Sequence, residues 1–231
     1  MAKGRMIFSS LCPTWLRLLG LIGLGVYGCA PAQAQQFSAD LVTTDVGGTA
    51  TASAGRLRVF NDKVRIETAE FADGFFLIDG PNRSAYFARS AERIFMDARQ
   101  SSRLTQLFVP VDPDDPCLQW QSMAKLAGST NSNDPWRCER IGEATVEGRS
   151  TTAYRTISPL GRQIIGWIDL EFKFPLRIEM EDGSTVTVQN IQEGPQSARL
   201  FEIPPGFHKF DPRALIKRIK QSDVWVDKPP P

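Results

Sequence analysis

The sequence predicts a mainly β protein, an antiparallel meander of roughly ten or eleven short strands, and three observations lead there. Apolar and polar residues alternate with period two along most of the chain. Turn-forming pairs recur between the alternating runs, and only two segments carry a helical pattern. A sheet with that many strands curls into a sandwich, a barrel or a half-barrel.

The strands are read from their two faces. Val64, Ile66 and Thr68 alternate with Lys63, Arg65 and Glu67, and Leu176, Ile178 and Met180 alternate with Arg177, Glu179 and Glu181. Leu57 and Val59 stand against Arg56 and Arg58, Ile94 and Met96 against Arg93 and Asp97, and Val186 and Val188 against Thr185, Thr187 and Gln189. Each run has one dry face and one wet face. The arginines Arg56, Arg58, Arg65, Arg83, Arg89 and Arg93 belong to wet faces. Gly47-Gly48, Asn61-Asp62, residues 79–82, Glu147-Gly148 and residues 159–161 punctuate the runs. Asp182-Gly183 predicts a two-residue hairpin with a type I′ turn, because both residues tolerate positive φ.

The first helical segment opens at Asp115-Pro116, an N-cap followed by a first-turn proline. Residues 117–126 then distribute Leu118, Trp120, Met123 and Leu126 as an amphipathic helix that ends at Gly128. Residues 110–138 are expected to form an insertion between two groups of strands. A helix that short is marginal alone, so it is expected to cover the inner face of the sheet as a lid. The second segment opens at Asp211-Pro212. Leu215, Ile216 and Ile219 make an apolar stripe, with Arg213, Lys217, Arg218 and Lys220 around it. The helix over 212–220 suits a membrane surface or an acidic partner, or packs its stripe on the domain with a solvated basic face. Residues 210–231 thus read as a basic amphipathic helix and a Pro-rich tail.

Charge gives an exclusion. With 27 Lys+Arg against 26 Asp+Glu, no basic surplus exists to neutralise a run of phosphates, so no nucleic acid is expected as partner. Residues 1–34 alter that balance. Lys3 and Arg5 precede an apolar run from Leu18 to Val26, and Ala32-Gln33-Ala34 supplies the small residues of a cleavage site. This is the layout of a cleavable signal peptide, with a run too short for a membrane span. Its removal takes three basic residues and no acid, leaving 24 basic against 26 acidic residues in a periplasmic mature chain over residues 35–231. Gly28-Cys29 offers the alternative of a lipoprotein anchored through Cys29, although Tyr27 fits a lipobox poorly.

Cys117 and Cys138 are the pair that survives processing. An even pair in an exported chain reads as one disulfide, stabilising by about 3 kcal/mol in the chain-entropy model. Two thiols and one distant histidine do not make a metal site, and no metal or other cofactor is expected. His208, in Gly206-Phe207-His208-Lys209, has no nucleophile or orienting carboxylate near it in sequence. Phosphate loops, His-Glu-x-x-His and Gly-x-Ser-x-Gly are missing. Asp112, Asp114 and Asp115 lack the other ligands and the glycine of a calcium loop and read as a solvated acidic turn. No catalytic residue is assigned, and the protein is expected not to be an enzyme.

Apolar bulk is what the chain has in quantity, with 13 Phe and 4 Trp left after residue 34. A lidded sheet either fills its interior with such residues or leaves it open to an apolar ligand. The candidate lining residues are Phe75, Phe87, Phe95, Trp167 and Met180 on strands, with Trp120 and Met123 on the lid. Core packing is the competing reading for each.

Several motifs then align with a family. Phe37-Ser38-Ala39-Asp40, the Pro116-Cys117 and Cys138-Glu139-Arg140-Ile141-Gly142-Glu143 pair, Trp167-Ile168-Asp169, Phe174-Pro175-Leu176 and Phe201-Glu202-Ile203-Pro204-Pro205-Gly206-Phe207 occur in this order. Over residues 37–209 the chain resembles a family of uncharacterised bacterial periplasmic proteins, which in turn resembles the LolA and LolB outer-membrane lipoprotein carriers. The resemblance implies an unclosed antiparallel half-barrel over residues 35–209 with a helical lid over an apolar cavity. The link to the carriers is one of fold. The stapled insertion, His208 and the basic C-terminal helix depart from the pattern. Together these readings set the expectation of a monomeric extracytoplasmic carrier for an apolar ligand such as an acyl chain, a lipid or a lipoprotein. The alternative is an envelope scaffold with a filled core that acts through its surface.

Overall fold

A computed structural model describes residues 35–47, 50–68, 71–80, 82–98, 103–126, 136–159 and 161–213, without the side chains of residues 50–54 and 126. The signal and lipobox expected within residues 1–34 lie outside the described residues, as does the helix expected over 212–220 from residue 214 onward.

The first half of the chain is a six-strand meander: β1 (Gln36–Thr44), β2 (Ala50–Phe60), β3 (Lys63–Thr68), β4 (Gly74–Asp79), β5 (Ser84–Arg89) and β6 (Ile94–Asp97). Helices α1 (Arg103–Leu107) and α2 (Pro116–Leu126) follow. A second meander comprises β7 (Arg137–Val146), β8 (Arg149–Ile157), β9 (Gln163–Asp169), β10 (Phe174–Glu179) and β11 (Thr185–Glu193). A 3-10 turn at Ala198–Phe201 leads to the short β12 (His208–Lys209).

All twelve described strands lie in one sheet of order β12-β6-β5-β4-β3-β2-β1-β11-β10-β9-β8-β7. Its ends, β12 and β7, do not meet, so the sheet is unclosed, as the half-barrel expectation requires. The connectivity departs from one continuous meander. Two meanders join at the centre, where β1 pairs with β11 from Phe37 opposite Glu193 to Thr44 opposite Thr185. The Asn190 side-chain amide donates to Asp40 across that seam at 2.9 Å. The helices, carrying the chain from β6 to β7 at the other end of the sheet, make this possible. Turn signals report local hairpins and carry no information about such a distant pairing.

Alternation sets the two faces. Phe37, Leu41, Leu57, Val59, Val64, Ile66, Leu176, Ile178 and Val188 are completely buried on the inner face. Each contributes about 1.5–3 kcal/mol of transfer free energy to folding. Phe37 stacks on Phe172 at 4.7 Å between ring centroids and meets Phe174 edge-on at 5.5 Å. Pro175 of β10 sits at the irregularity between Pro175 and Arg177 in the β9 pairing, before the β11 ladder begins at Arg177. A residue without an N–H is tolerated there.

The outer face differs along the sheet. On β4 the run from Gly74 to Ile78 is buried at every position, not at alternate ones. Phe76 and Ile78 join the inner core, while Phe75 and Leu77 form a second cluster with Ala88, Phe95, Ile203 and Phe207. The chain's own C-terminal segment supplies that cover. Arg65 lies over the Phe75 ring at 3.6 Å and donates to the Leu200 carbonyl at 3.1 Å. The segment then adds β12 in parallel to β6, with the His208 N–H donating to Arg93 O and the Phe210 N–H to Phe95 O.

Two turns exchange their expected roles. Between β10 and β11 the Gly183 N–H donates to Met180 O and the Met180 N–H to Ser184 O, giving a three-residue loop in which Gly183 has φ +79°. This is a turn closed by a left-handed glycine, not the type I′ pair expected at Asp182-Gly183. The Asp182 carboxylate accepts from the backbone N–H and hydroxyl of Ser184, which holds Asp182 in the first position of its own small turn. Positive φ at both central residues occurs instead at Glu147 and Gly148, +49° and +77°, in the two-residue loop between β7 and β8.

Candidate functional site

The segment from α1 to α2 is the lid, and its residues build it step by step. Asp115 accepts the Leu118 N–H through its carboxylate at 3.2 Å while Pro116 takes the first helical position, the capping read from sequence. Cys117, Trp120, Met123 and Ala124 are buried, whereas Leu118 is 57% exposed. The apolar side of α2 therefore faces the sheet, packing with Phe108, Val109 and Val111 into the inner core. Helix α1, which the sequence pattern did not reveal, contributes Leu107; with five residues it is too short to display a period.

Trp120 is the centre of this contact. Its indole N–H donates to the Leu107 carbonyl at 3.0 Å, and only 1% of the residue is exposed. The ring lies over Gly166 of β9, where a Cβ would run into the indole. Glycine at this place opens a socket in the sheet for one large side chain. At its start the lid is tied to the turn before β10 by the Val111 N–H donating to Lys173 O, and to β8 by the Tyr154 hydroxyl donating to Pro113 O. The Cys117–Cys138 disulfide, with Cα atoms 5.9 Å apart, fastens α2 to edge strand β7.

Two clefts lined by described residues flank the lid. One, about 90 Å³, is bounded by Leu107, Ala124, Trp136, Ile164 and Met180, with Arg103, Arg162, Ser158 and Glu181 at its rim. The other, about 490 Å³, lies among the turns at residues 62, 80, 83 and 173 with Gln35 and Gln119, and its lining is mostly polar. Ligand pockets for drug-sized molecules span roughly 300–1,000 Å³ and are mainly apolar. The apolar cleft is thus too small for a whole acyl chain with the lid in this position, and the roomy one has the wrong lining.

The seven candidate lining residues divide. Met180 borders the apolar cleft. Trp120 and Met123 point into the core and fill the inner face, and Phe87 packs against the same core, 4.9 Å from Phe76 between centroids. Phe75 and Phe95 lie on the outer face beneath the C-terminal segment. Trp167 alternates with Gly166 and Ile168 along β9 and is half-buried, packing at the margin of the core cluster with Arg177 5.8 Å from its ring. The reading by residue type missed Leu107, Trp136 and Ile164. Period two placed Ile164 on the same face as Gly166, which was a usable signal; Trp136 and Leu107 lie outside any strand and gave none.

A polar knot is built around Arg149. Arg149 donates to Asp169 at 2.5 Å, Glu171 at 2.6 Å and Glu193 at 3.1 Å, and lies 3.7 Å over the Phe172 ring. Hydrogen bonding to Asp169 holds its pKa above the ordinary arginine value. Buried Asp169 also accepts the Glu171 and Phe172 N–H groups, so this knot fastens β8, β11 and the turn after β9. His208 is exposed on β12. Among the described residues no group of three His, Cys, Asp or Glu side chains could hold a metal ion.

No family model and no curated protein matches the chain. Solved structures do. The chain is similar to an uncharacterized conserved protein from Thermus thermophilus, with 10% identity over 78% of this chain and 91% of that one and a TM-score of 0.45. It is similar to a putative outer membrane lipoprotein-sorting protein domain from Vibrio parahaemolyticus, with 10% identity, 71% and 88% covered and a TM-score of 0.34. A chain of the Pseudomonas aeruginosa MucA/MucB complex is similar at 17% identity, with 73% and 56% covered and a TM-score of 0.38. The chain spans about half the length of that last relative. These likenesses concern the fold.

Proposed function

We propose that the protein is a non-catalytic extracytoplasmic carrier that binds an apolar ligand, an acyl chain or the lipid part of a lipoprotein, between its sheet and its lid. The observation that carries this reading is Trp120 seated over Gly166: one lid side chain occupies a socket in a mainly apolar face, where a ligand can replace it. The lid is held to the sheet by few directional bonds and one disulfide, and so can lift without unravelling the ladder. In the closed state the ligand's space is filled by the protein itself. The leader expected in the sequence agrees with an envelope location.

A filled-core scaffold is the second reading, favoured by the near-complete burial of Phe108, Trp120 and Met123. In that case the ligand is the surface of another protein. Protein purified from the periplasm without detergent separates the two in native mass spectrometry. A co-purifying amphiphile, or uptake of a fluorescent fatty acid by delipidated protein, is the carrier's result; repeatedly clean protein with no uptake overturns it.

A further inference from the structure

The apolar cleft at the end of the lid joins a greasy wall to a rim of hydrogen-bond donors. Leu107, Ala124, Ile164 and Met180 supply the wall. The indole N–H of Trp136, which lines the same space, is buried and has no acceptor among the described residues. A buried donor in that state calls for an acceptor brought from outside. Arg162 stands at the rim, exposed and without an ion pair among the described residues, and Arg103 stands with it. Arg103 also acts on Asp182 of the neighbouring hairpin, and among the described lining residues Glu181 is the one carboxylate against two guanidinium groups. An incoming head with oxygen acceptors and negative charge meets both needs, because guanidinium groups bind carboxylates in charge-assisted, often bidentate fashion.

We propose that this cleft is the head-group seat for a single-chain amphiphile with a carboxylate head, an inference that rests on the carrier reading above. The head lies against Arg162, Arg103 and the Trp136 N–H, and the first carbons lie along Leu107 and Met180. The volume of about 90 Å³ holds the head and those first carbons. The rest of the chain follows inward as the lid yields. Leu107 connects the two events, since it lines the cleft and its carbonyl holds the Trp120 indole.

Binding of dodecanoate, dodecan-1-ol and a lysophosphatidylglycerol to delipidated protein, measured by calorimetry, tests this. Dodecanoate is expected to bind about tenfold more tightly than the alcohol, the scale of one charge-assisted hydrogen bond. Arg162→Gln is expected to weaken dodecanoate several-fold and leave the alcohol unchanged, whereas Trp136→Phe is expected to weaken dodecanoate several-fold and the alcohol by less. Arg162 is exposed, so its variant keeps the test free of folding effects. Equal affinities for acid and alcohol, unmoved by either variant, overturn the head-group seat and leave the carrier intact. Preference for the lysophosphatidylglycerol overturns the carboxylate assignment, and binding of none of the three overturns seat and carrier together.

Discussion

The two ends of the sheet are built differently. At one end β3 to β5 are covered on both faces, by the inner core and by residues 198–210, and β12 pairs with the edge strand β6. At the other end β7 exposes nine of its ten residues and pairs with β8 alone. Charged side chains, including Arg140 in its ion pair with Glu143, and the irregularity at Gly142 blunt that open edge. The lid's disulfide is anchored to the thin end at Cys138. The cover that the carrier proposal requires to open therefore hangs from a strand that is itself lightly held, while the other end is covered more fully. Elements that must open come from the least protected part of a fold.

Four changes probe the two ends separately, beginning with the most damaging. A chain ending at Gly194 strips the outer cover from Phe75 and Leu77 and bares the β6 edge, so loss of soluble folded protein is expected in expression and sedimentation. Trp120→Ala empties the socket over Gly166 and costs about 3–5 kcal/mol in urea unfolding. Its hydrogen exchange should rise across the lid and β9 while β3 and β4 keep their protection; loss spread evenly over the sheet would refute two unequal ends. Replacing both Cys117 and Cys138 by Ser costs roughly 3 kcal/mol and speeds proteolysis within residues 103–138. Ser184→Ala has the smallest effect. The Ser184 hydroxyl and N–H hold the Asp182 carboxyl below the usual aspartate range. A depressed folded pKa gives stability that is present above the unfolded value and lost as pH falls through the folded one. The variant should move the Asp182 titration upward towards the ordinary range in a carbon-detected NMR titration, and leave neutral-pH stability nearly unchanged.

The contrast also explains what the sequence disclosed. Strands such as β3, wet on one face, show themselves by alternation at Val64 and Ile66, and α2 by Asp115-Pro116 and its stripe. Where a second cover exists, the pattern is overwritten: Phe75 to Ile78 is a continuous apolar run, which assigns no face to any one residue. Phe75, expected inside, therefore lies outside; Phe95 lies there too, as its place between Ile94 and Met96 on β6 already implied. The β1–β11 seam left no local signal because pairing across the whole chain is decided by which faces remain to be buried. Trp120 was legible as a lid residue, but its partner Gly166 was not, since a glycine in a strand announces a close approach without naming what approaches. The apolar cleft draws on α1, α2, residue 136 and two hairpins, a convergence that no spacing in the chain records.

If the lid is a replaceable occupant of its own binding face, hydrogen exchange at residues 116–126 responds to saturating dodecanoate. Faster exchange of α2 on binding, with β3 and β4 unchanged, is the expected result. Binding that leaves α2 as protected as before, or no binding at all, contradicts it.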